Sequence, residues 1–281
     1  MLNLLFTGGG VLLLLLVTNV SGFLPSEYRA AQSARDAVRL HASTIENVQL
    51  KGGAKVKIGH RMQIGGLEAD GDLTGLKMWP TTSEPMFRQL VDVILPTMHD
   101  DNTHDDGSCS SQPLHILEIG SGCGLLGISL AAHGEKVVLT DPAFPFRDTL
   151  LSDLEEHEDS ITTLDHLQNN IDLNADILEG RATAAKLLWG DANDIDNIQN
   201  RGPYDLVIGS ELLYYRDSFP ALLETIRRLG VGGVPIILGY KTRRLGEQKF
   251  LDRAKEDFEI VTDRLGRKHE GLFLATCILK E

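Results

Sequence analysis

An apolar strand that runs straight into a glycine-rich turn constrains this chain more than any other stretch. Ile116-Leu117-Glu118-Ile119 leads into Gly120-Ser121-Gly122-Cys123-Gly124, a helical run starts at Leu125, and a second apolar run, Lys136–Thr140, delivers Asp141 at its end. Glycines at this spacing let the backbone pass close to a ligand. The helix start behind them presents free N–H groups to an anion. An acid at the tip of the next strand is placed to take the two hydroxyls of a ribose. The pattern describes a nucleoside-cofactor site.

Two cofactors compete for it. Gly122-Cys123-Gly124-Leu125-Leu126-Gly127 also reads as the G-x-G-x-x-G of a dinucleotide site. Glu118, two residues before Gly120, separates the two readings. An acid there suits a cationic amino group, such as that of the methionine half of S-adenosylmethionine, and is unhelpful beside a pyrophosphate. The helix N-terminus would then face the methionine carboxylate. S-adenosylmethionine is therefore the expected cofactor. An NAD-dependent oxidoreductase is disfavoured by Glu118 and by the lack of an obvious catalytic dyad. A plain structural glycine turn in an unrelated α/β protein is the bland alternative.

The chain has 281 residues, enough for one large α/β domain with a buried core. Residues 46–68 alternate apolar and polar around Gly52-Gly53 and read as a short antiparallel element. Thr81-x-x-Glu84 has the pattern of a capping box for a helix that ends at Leu95, before Pro96. Further helices are expected at Leu125–His133, Leu164–Asn174, Phe219–Leu229 and Gln248–Asp257. Strands are expected at Leu114–Ile119, Lys136–Thr140, Ala182–Leu188, Tyr204–Gly209 and Val234–Tyr240, with a final pair near Phe258–Asp263 and Gly271–Leu279. Strands alternating with helices predict a Rossmann-like, doubly wound sheet, with ligands at the carboxyl ends of its central strands. The domain organisation expected is a presequence at 1–42, an N-terminal extension with an acidic loop at 43–113, and a catalytic domain at 114–281.

Net charge is −13, so a phosphate-backbone partner is not expected, whereas a lysine-rich protein segment would be attracted. Acidity that serves solubility alone is the competing account. Two stretches concentrate the charge. Residues 99–113 carry His99, His104 and four aspartates, but do not match a calcium loop, which ends on a Glu. Residues 148–180 hold ten acids and no Lys or Arg. The three cysteines form neither a disulfide framework nor a metal motif, so no metal site is expected. Cys123 reads as a small side chain in the glycine loop rather than a nucleophile.

Residues 1–26 contain no charged side chain, and Val11–Val17 is solidly apolar. Small residues Ser21-Gly22 follow, then Phe23 and a segment with Arg29, Arg35 and Arg39 among Ala and Ser. Signal-peptide core, then Phe, then basic transit segment is similar to the bipartite presequences of algae with complex plastids. Delivery to an organelle is the expectation, with the mature chain starting near Ala42. A plain secretory segment or an uncleaved membrane anchor is the alternative, and any membrane contact would run through this segment.

Four blocks carry a family resemblance: Leu76-Lys77-Met78-Trp79-Pro80; Leu117 through Gly127; Leu188-Trp189-Gly190-Asp191; and Tyr204 through Tyr214. Over residues 46–281 the chain resembles the class I S-adenosylmethionine-dependent methyltransferases. Within them it resembles the family-16 protein-lysine methyltransferases. The resemblance implies a seven-stranded sheet with one antiparallel strand and action on an accessible lysine of a protein; a monomer is the favoured assembly. It further implies that Trp79, Gly120, Ser121, Gly122, Asp141, Trp189 and Ser210 line the cofactor. The flat apolar faces of Trp79 and Trp189 suit an adenine ring or a thioether, although each could be ordinary core. Asp191, just past a strand, could accept from the adenine amino group.

Glu211-x-x-Tyr214 falls at the sheet end where the cofactor is expected. Methyl transfer needs a neutral amine, aligned and desolvated. Glu211 is expected to hold the incoming ammonium and Tyr214 to shape the lysine channel. Most family members carry Asp where this chain has Glu211, and a structural capping Glu is the plain alternative. A small-molecule or nucleic-acid methyltransferase on the same fold, and a non-catalytic partner protein that keeps the fold, are the other functional readings. No base-clamping tetrapeptide of the Asn-Pro-Pro-Tyr kind follows the strand before Glu211.

Overall fold

The computed structural model describes residues 44–60, 76, 78–101, 112–144, 162–244, 246–267 and 270–281. The presequence expected at 1–42, most of the acidic loop at 99–113 with His104, and the first part of the acidic stretch at 148–180 lie outside these residues.

Two strands, β1 (Thr44–Gln49) and β2 (Lys55–His60), form an antiparallel hairpin in which Val48 faces Val56. The remaining strands are β3 (His115–Glu118), β4 (Lys136–Asp141), β5 (Ala182–Lys186), β6 (Leu206–Ser210), β7 (Ile236–Lys241), β8 (Phe258–Leu265) and β9 (Leu272–Leu279). They form one seven-stranded sheet in the order β5-β4-β3-β6-β7-β9-β8. β3 to β7 pair in parallel, and β9 runs antiparallel between β7 and β8. This is the expected α/β sheet with one antiparallel strand. Its strand order reverses beside β3, where chain connections depart in opposite directions and leave a crevice at the carboxyl ends.

Both faces of the sheet are buried, as a parallel sheet requires. Ile116, Val137, Leu139, Leu206, Ile208 and Ile237 point into one core, and Leu117, Val138, Val207, Ile236 and Leu238 into the other. The period of two along each strand sends successive side chains to opposite sides. The helices are α1 (Pro80–Gln89), α2 (Leu95–Asp101), α3 (Leu125–His133), α4 (Thr163–Asp172), α5 (Ala175–Leu178), α6 (Ala192–Gln199), α7 (Phe219–Leu229) and α8 (Glu247–Ala254).

The first helix departs from the sequence reading. Trp79 is its N-cap and no side chain caps it, so the Thr81–Glu84 box does not form. Pro96 does not end it either. A π-helical stretch at Leu90–Ile94 joins α1 to α2, and Pro96 is the second residue of α2. Rewinding through a wider turn there accommodates a residue that cannot donate a backbone N–H. The helix α6 is unforeseen in the sequence because its apolar stripe is thin: only Ile195 and Ile198 are its buried apolar residues.

Side-chain amides fasten the hairpin to the sheet domain. Asn170 of α4 accepts from Gly59 N–H at 2.8 Å and donates back to Gly59 O at 3.0 Å. Its amide also reaches Cys123 O in the glycine loop at 2.9 Å. Asn174 makes the same reciprocal pair with Lys57, at 2.8 and 2.7 Å. Both asparagines are almost fully buried, so removing one strands backbone groups of β2 away from water. Asn170→Ala is expected to cost about 2–4 kcal/mol of stability, read as a lower urea midpoint with an unchanged slope.

Candidate active site

The loop after β3 is bent by backbone that side chains rarely adopt. Gly120 has φ +63°. A Cβ there would also sit 2.7 Å from Leu212 and 3.1 Å from Trp189, so only glycine lets these two close on the loop. Ser121 N–H donates to Thr140 O at 2.7 Å, and Thr140 N–H donates to Ser121 Oγ at 3.1 Å. Gly122 N–H donates to Asp141 Oδ2 at 3.1 Å. The ends of β3 and β4 are thereby joined across the loop. Gly124 then caps α3 without a side-chain partner.

Gly127 has a packing role. Its N–H donates to Glu118 Oε2 at 3.1 Å, and a Cβ would come within 2.4 Å of that oxygen and 2.7 Å of Leu139. The last glycine of the run therefore brings α3 down onto β3 and β4 and seats the Glu118 carboxyl. A nucleotide phosphate is not needed to explain it.

These elements open into a cavity of about 300 Å³ at the carboxyl end of the central strands, within the usual range for small-molecule sites. Ten of the eleven residues singled out from the sequence line it: Trp79, Glu118, Gly120, Ser121, Gly122, Asp141, Trp189, Ser210, Glu211 and Tyr214. Trp79, at the start of α1, is 38% exposed, so the ring lies at an open edge rather than in the core. Asp191 is not among the lining residues. It is the N-cap of α6, where its Oδ1 accepts from Asp194 N–H at 2.9 Å. Ser210 Oγ lies 3.5 Å from Ser83 Oγ. Cys123 also lines the cavity, 3.7 Å from His166 Nε2, and burial pushes its thiol well up, which suits a filler and not a nucleophile.

Glu118 and Asp141 are buried carboxyls. Burial pushes Glu118 up to about 8, against the pull of Ser121 and the Gly127 N–H, with the Asp141 charge adding a little. Burial pushes Asp141 up to about 6, opposed by Thr163 and the Gly122 N–H. Two buried carboxyls raised beside one cavity mark it as a candidate binding site.

Glu211 is placed differently. It follows β6 with φ +62°, a left-handed backbone, and its N–H donates to Gly239 O of β7 at 2.8 Å. Thr82 of α1 donates to its Oε1 and Arg243 to its Oε2. Thr82 and Arg243 are site residues that the motifs do not mark. Their only sequence signal is position: Thr82 closely follows Trp79-Pro80, and Arg243 lies just past the carboxyl end of β7. Tyr215 and Phe144 are further lining residues outside the motif set, Leu188 of the third block lines the cavity as well, and Leu188 and Tyr215 are exposed at 38% and 51%. His99 of the acidic loop contacts Glu135 at 3.2 Å, and Glu135 also takes the Leu114 N–H at 2.7 Å.

A family model described as lysine methyltransferase matches residues 74–257. Among curated relatives, protein N-lysine methyltransferase METTL21A of Danio rerio is 30% identical over 150 residues, covering 52% of this chain and 57% of the relative. EEF1A lysine methyltransferase 3 of Mus musculus is 33% identical over 114 residues, covering 41% and 39%. Protein-lysine N-methyltransferase EFM6 of Saccharomyces cerevisiae is 27% identical, covering 52% and 57%. The chain thus spans little more than half the length of these relatives at most.

A raised carboxyl binds its proton more tightly folded than unfolded. The stability this gives is full below the ordinary value of 4.5 for Glu118 and is lost as pH rises through about 8. The ligand-free protein is therefore expected to lose a few kcal/mol of unfolding free energy between pH 5 and pH 8. Glu118→Gln should flatten most of that slope in urea titrations at stepped pH. An unchanged slope in this variant would mean that Glu118 ionises freely in the folded state.

Proposed function

The chain belongs to the lysine methyltransferase family, and on that premise we propose that it binds S-adenosylmethionine in the cavity and methylates a lysine of a protein substrate. The observation that carries this reading is the convergence of Glu118 and Asp141, both buried and both raised, on one apolar-walled cavity. A ligand with a cationic amino group and a ribose answers both. A dinucleotide would bring its pyrophosphate to the same carboxyls.

In this reading Glu118 takes the amino group of the methionine moiety, and Asp141 takes the ribose hydroxyls, exchanging its contact with Gly122. Trp79 and Trp189 offer flat apolar surface to the adenine or the thioether region. When bound, S-adenosylmethionine supplies an electrophilic methyl on a sulfonium, which an amine accepts by in-line displacement. Tyr214 and the exposed Tyr215, on the loop after β6, flank the route by which a lysine side chain enters. The apolar walls formed by Leu187, Leu188 and Leu212 keep water from the reacting atoms.

Binding the cofactor should force Glu118 to ionise. Burial holds this carboxyl up at about 8 in the empty site, so binding at pH 7 should release protons, measurable as a buffer-dependent heat in calorimetry. Glu118→Gln should abolish the release. Asp141→Ala should weaken binding by about 1–3 kcal/mol, roughly 5- to 150-fold. The substrate class is tested by incubating the full chain with methyl-labelled S-adenosylmethionine and a cell extract, followed by hydrolysis. Label in methyl-lysine is the expected result. Label in a nucleotide or a small metabolite would refute the lysine reading while leaving methyl transfer standing.

A further inference from the structure

Glu211 meets the cavity with both carboxylate oxygens engaged. Thr82 donates to one and Arg243 to the other, and the side chain is 7% exposed. The arrangement is held from behind. Arg243 N–H donates to Glu247 Oε1 at 2.7 Å, and Glu247 Oε2 accepts from Gly246 N–H at 3.1 Å. Glu247 is itself buried. The loop after β7 is therefore shaped around delivering one guanidinium to one carboxylate.

The chemistry of an amine acceptor gives this pair a consequence. A lysine attacks only as the neutral amine, yet in water it holds its proton to about pH 10.4. A bare carboxylate within about 4–6 Å would raise that value by a further 1–3 units. A lone Glu211 would draw the lysine in and then keep it protonated. A carboxylate already balanced by a guanidinium presents a dipole, which can orient the amine without holding its proton.

We propose that Arg243 is a charge-balancing positioning residue: by neutralising Glu211 it allows the methyl-accepting amine to lose its proton in the site. The inference rests on the lysine-methyltransferase reading above. The proton leaves to bulk water; the nitrogen lone pair then forms the N–C bond, and the sulfonium C–S electron pair returns to sulfur. Other groups around the amine are Tyr214 and Tyr215 on the same loop, Thr82 on α1, and Glu118 and Asp141 on the cofactor side of the cavity. Arg216, which donates to Arg244 O at 3.4 Å, adds positive charge along the outer edge of the two loops.

The test is the pH dependence of labelled methyl-lysine formation between pH 6.5 and 10. It uses the whole 281-residue chain, saturating labelled S-adenosylmethionine and cell-extract protein as acceptor. Arg243→Ala should move the midpoint of the rate profile about 1–2 units to alkaline pH. Glu211→Gln leaves the guanidinium unbalanced and should move it to lower pH, with a higher apparent KM for acceptor. The double variant E211Q/R243A should return to within about half a unit of the wild-type midpoint, and Arg243→Lys should stay near it. The E211Q and double variants carry the test without an unpaired buried carboxylate, and cofactor affinity within about threefold of wild type confirms an intact site. Lower rates with unmoved midpoints would overturn the proposal and leave the pair a structural brace. A wild-type enzyme that forms no methyl-lysine would overturn the lysine reading and this inference together.

Discussion

Three hydrogen bonds lace the ends of β3 and β4 beyond their last ladder pair. Ser121 N–H reaches Thr140 O, Thr140 N–H returns to Ser121 Oγ, and Thr140 Oγ1 donates to Glu118 O at 2.9 Å. The ladder of β3 and β4 ends at Glu118 and Leu139, and the backbone beyond it would otherwise lack partners. The lacing lets one serine carry the sheet's hydrogen-bond pattern into the turn. The direction of the Glu118 side chain, the approach of Gly122 to Asp141 and the start of α3 all follow from it.

The cavity that results gathers three carboxyls under burial and treats them in two ways. Glu118 and Asp141 have no cationic side chain among their hydrogen-bond and ion-pair partners in the described residues, and burial raises both. Glu211 is given one, Arg243. In a low-dielectric site this difference decides which end attracts a positive ligand and which end has its charge already met. Glu118 and Asp141 end β3 and β4, and Glu211 follows β6, the strand paired with β3 on its other side.

The sequence made the β3–loop–α3–β4 unit legible because two unlike periods meet there around glycines that sterics enforce. Ten of the eleven residues singled out from that unit and its companion motifs line the cavity. What stayed hidden depended on tertiary register. Lys241-Thr242-Arg243-Arg244 reads as an ordinary basic run. Only the pairing of Ser210 with Gly239, extended by Glu211 N–H to Gly239 O, brings Arg243 to Glu211. Asp191 sits in a matched block, but Asp194 three residues on makes it a helix cap, a local bond that the motif reading passed over. The α1–α2 junction was hidden because a proline normally stops a helix, and a π-turn that absorbs one leaves no mark in composition. The thin stripe of α6 gave too little periodicity to see.

The amide ladder from α4 to β2 has a bearing on where the heritable unit of this protein begins. The family match starts at residue 74, after the hairpin. Yet Asn170 holds Gly59 of that hairpin and Cys123 of the glycine loop with one amide group. The hairpin is therefore a buttress for the glycine loop, built from residues that precede the family match. A chain cut just before residue 74 would keep every motif and lose the member against which the loop is braced. Loop bracing and motif content would then part company, and a boundary drawn by resemblance alone would cut the hairpin from the loop it supports.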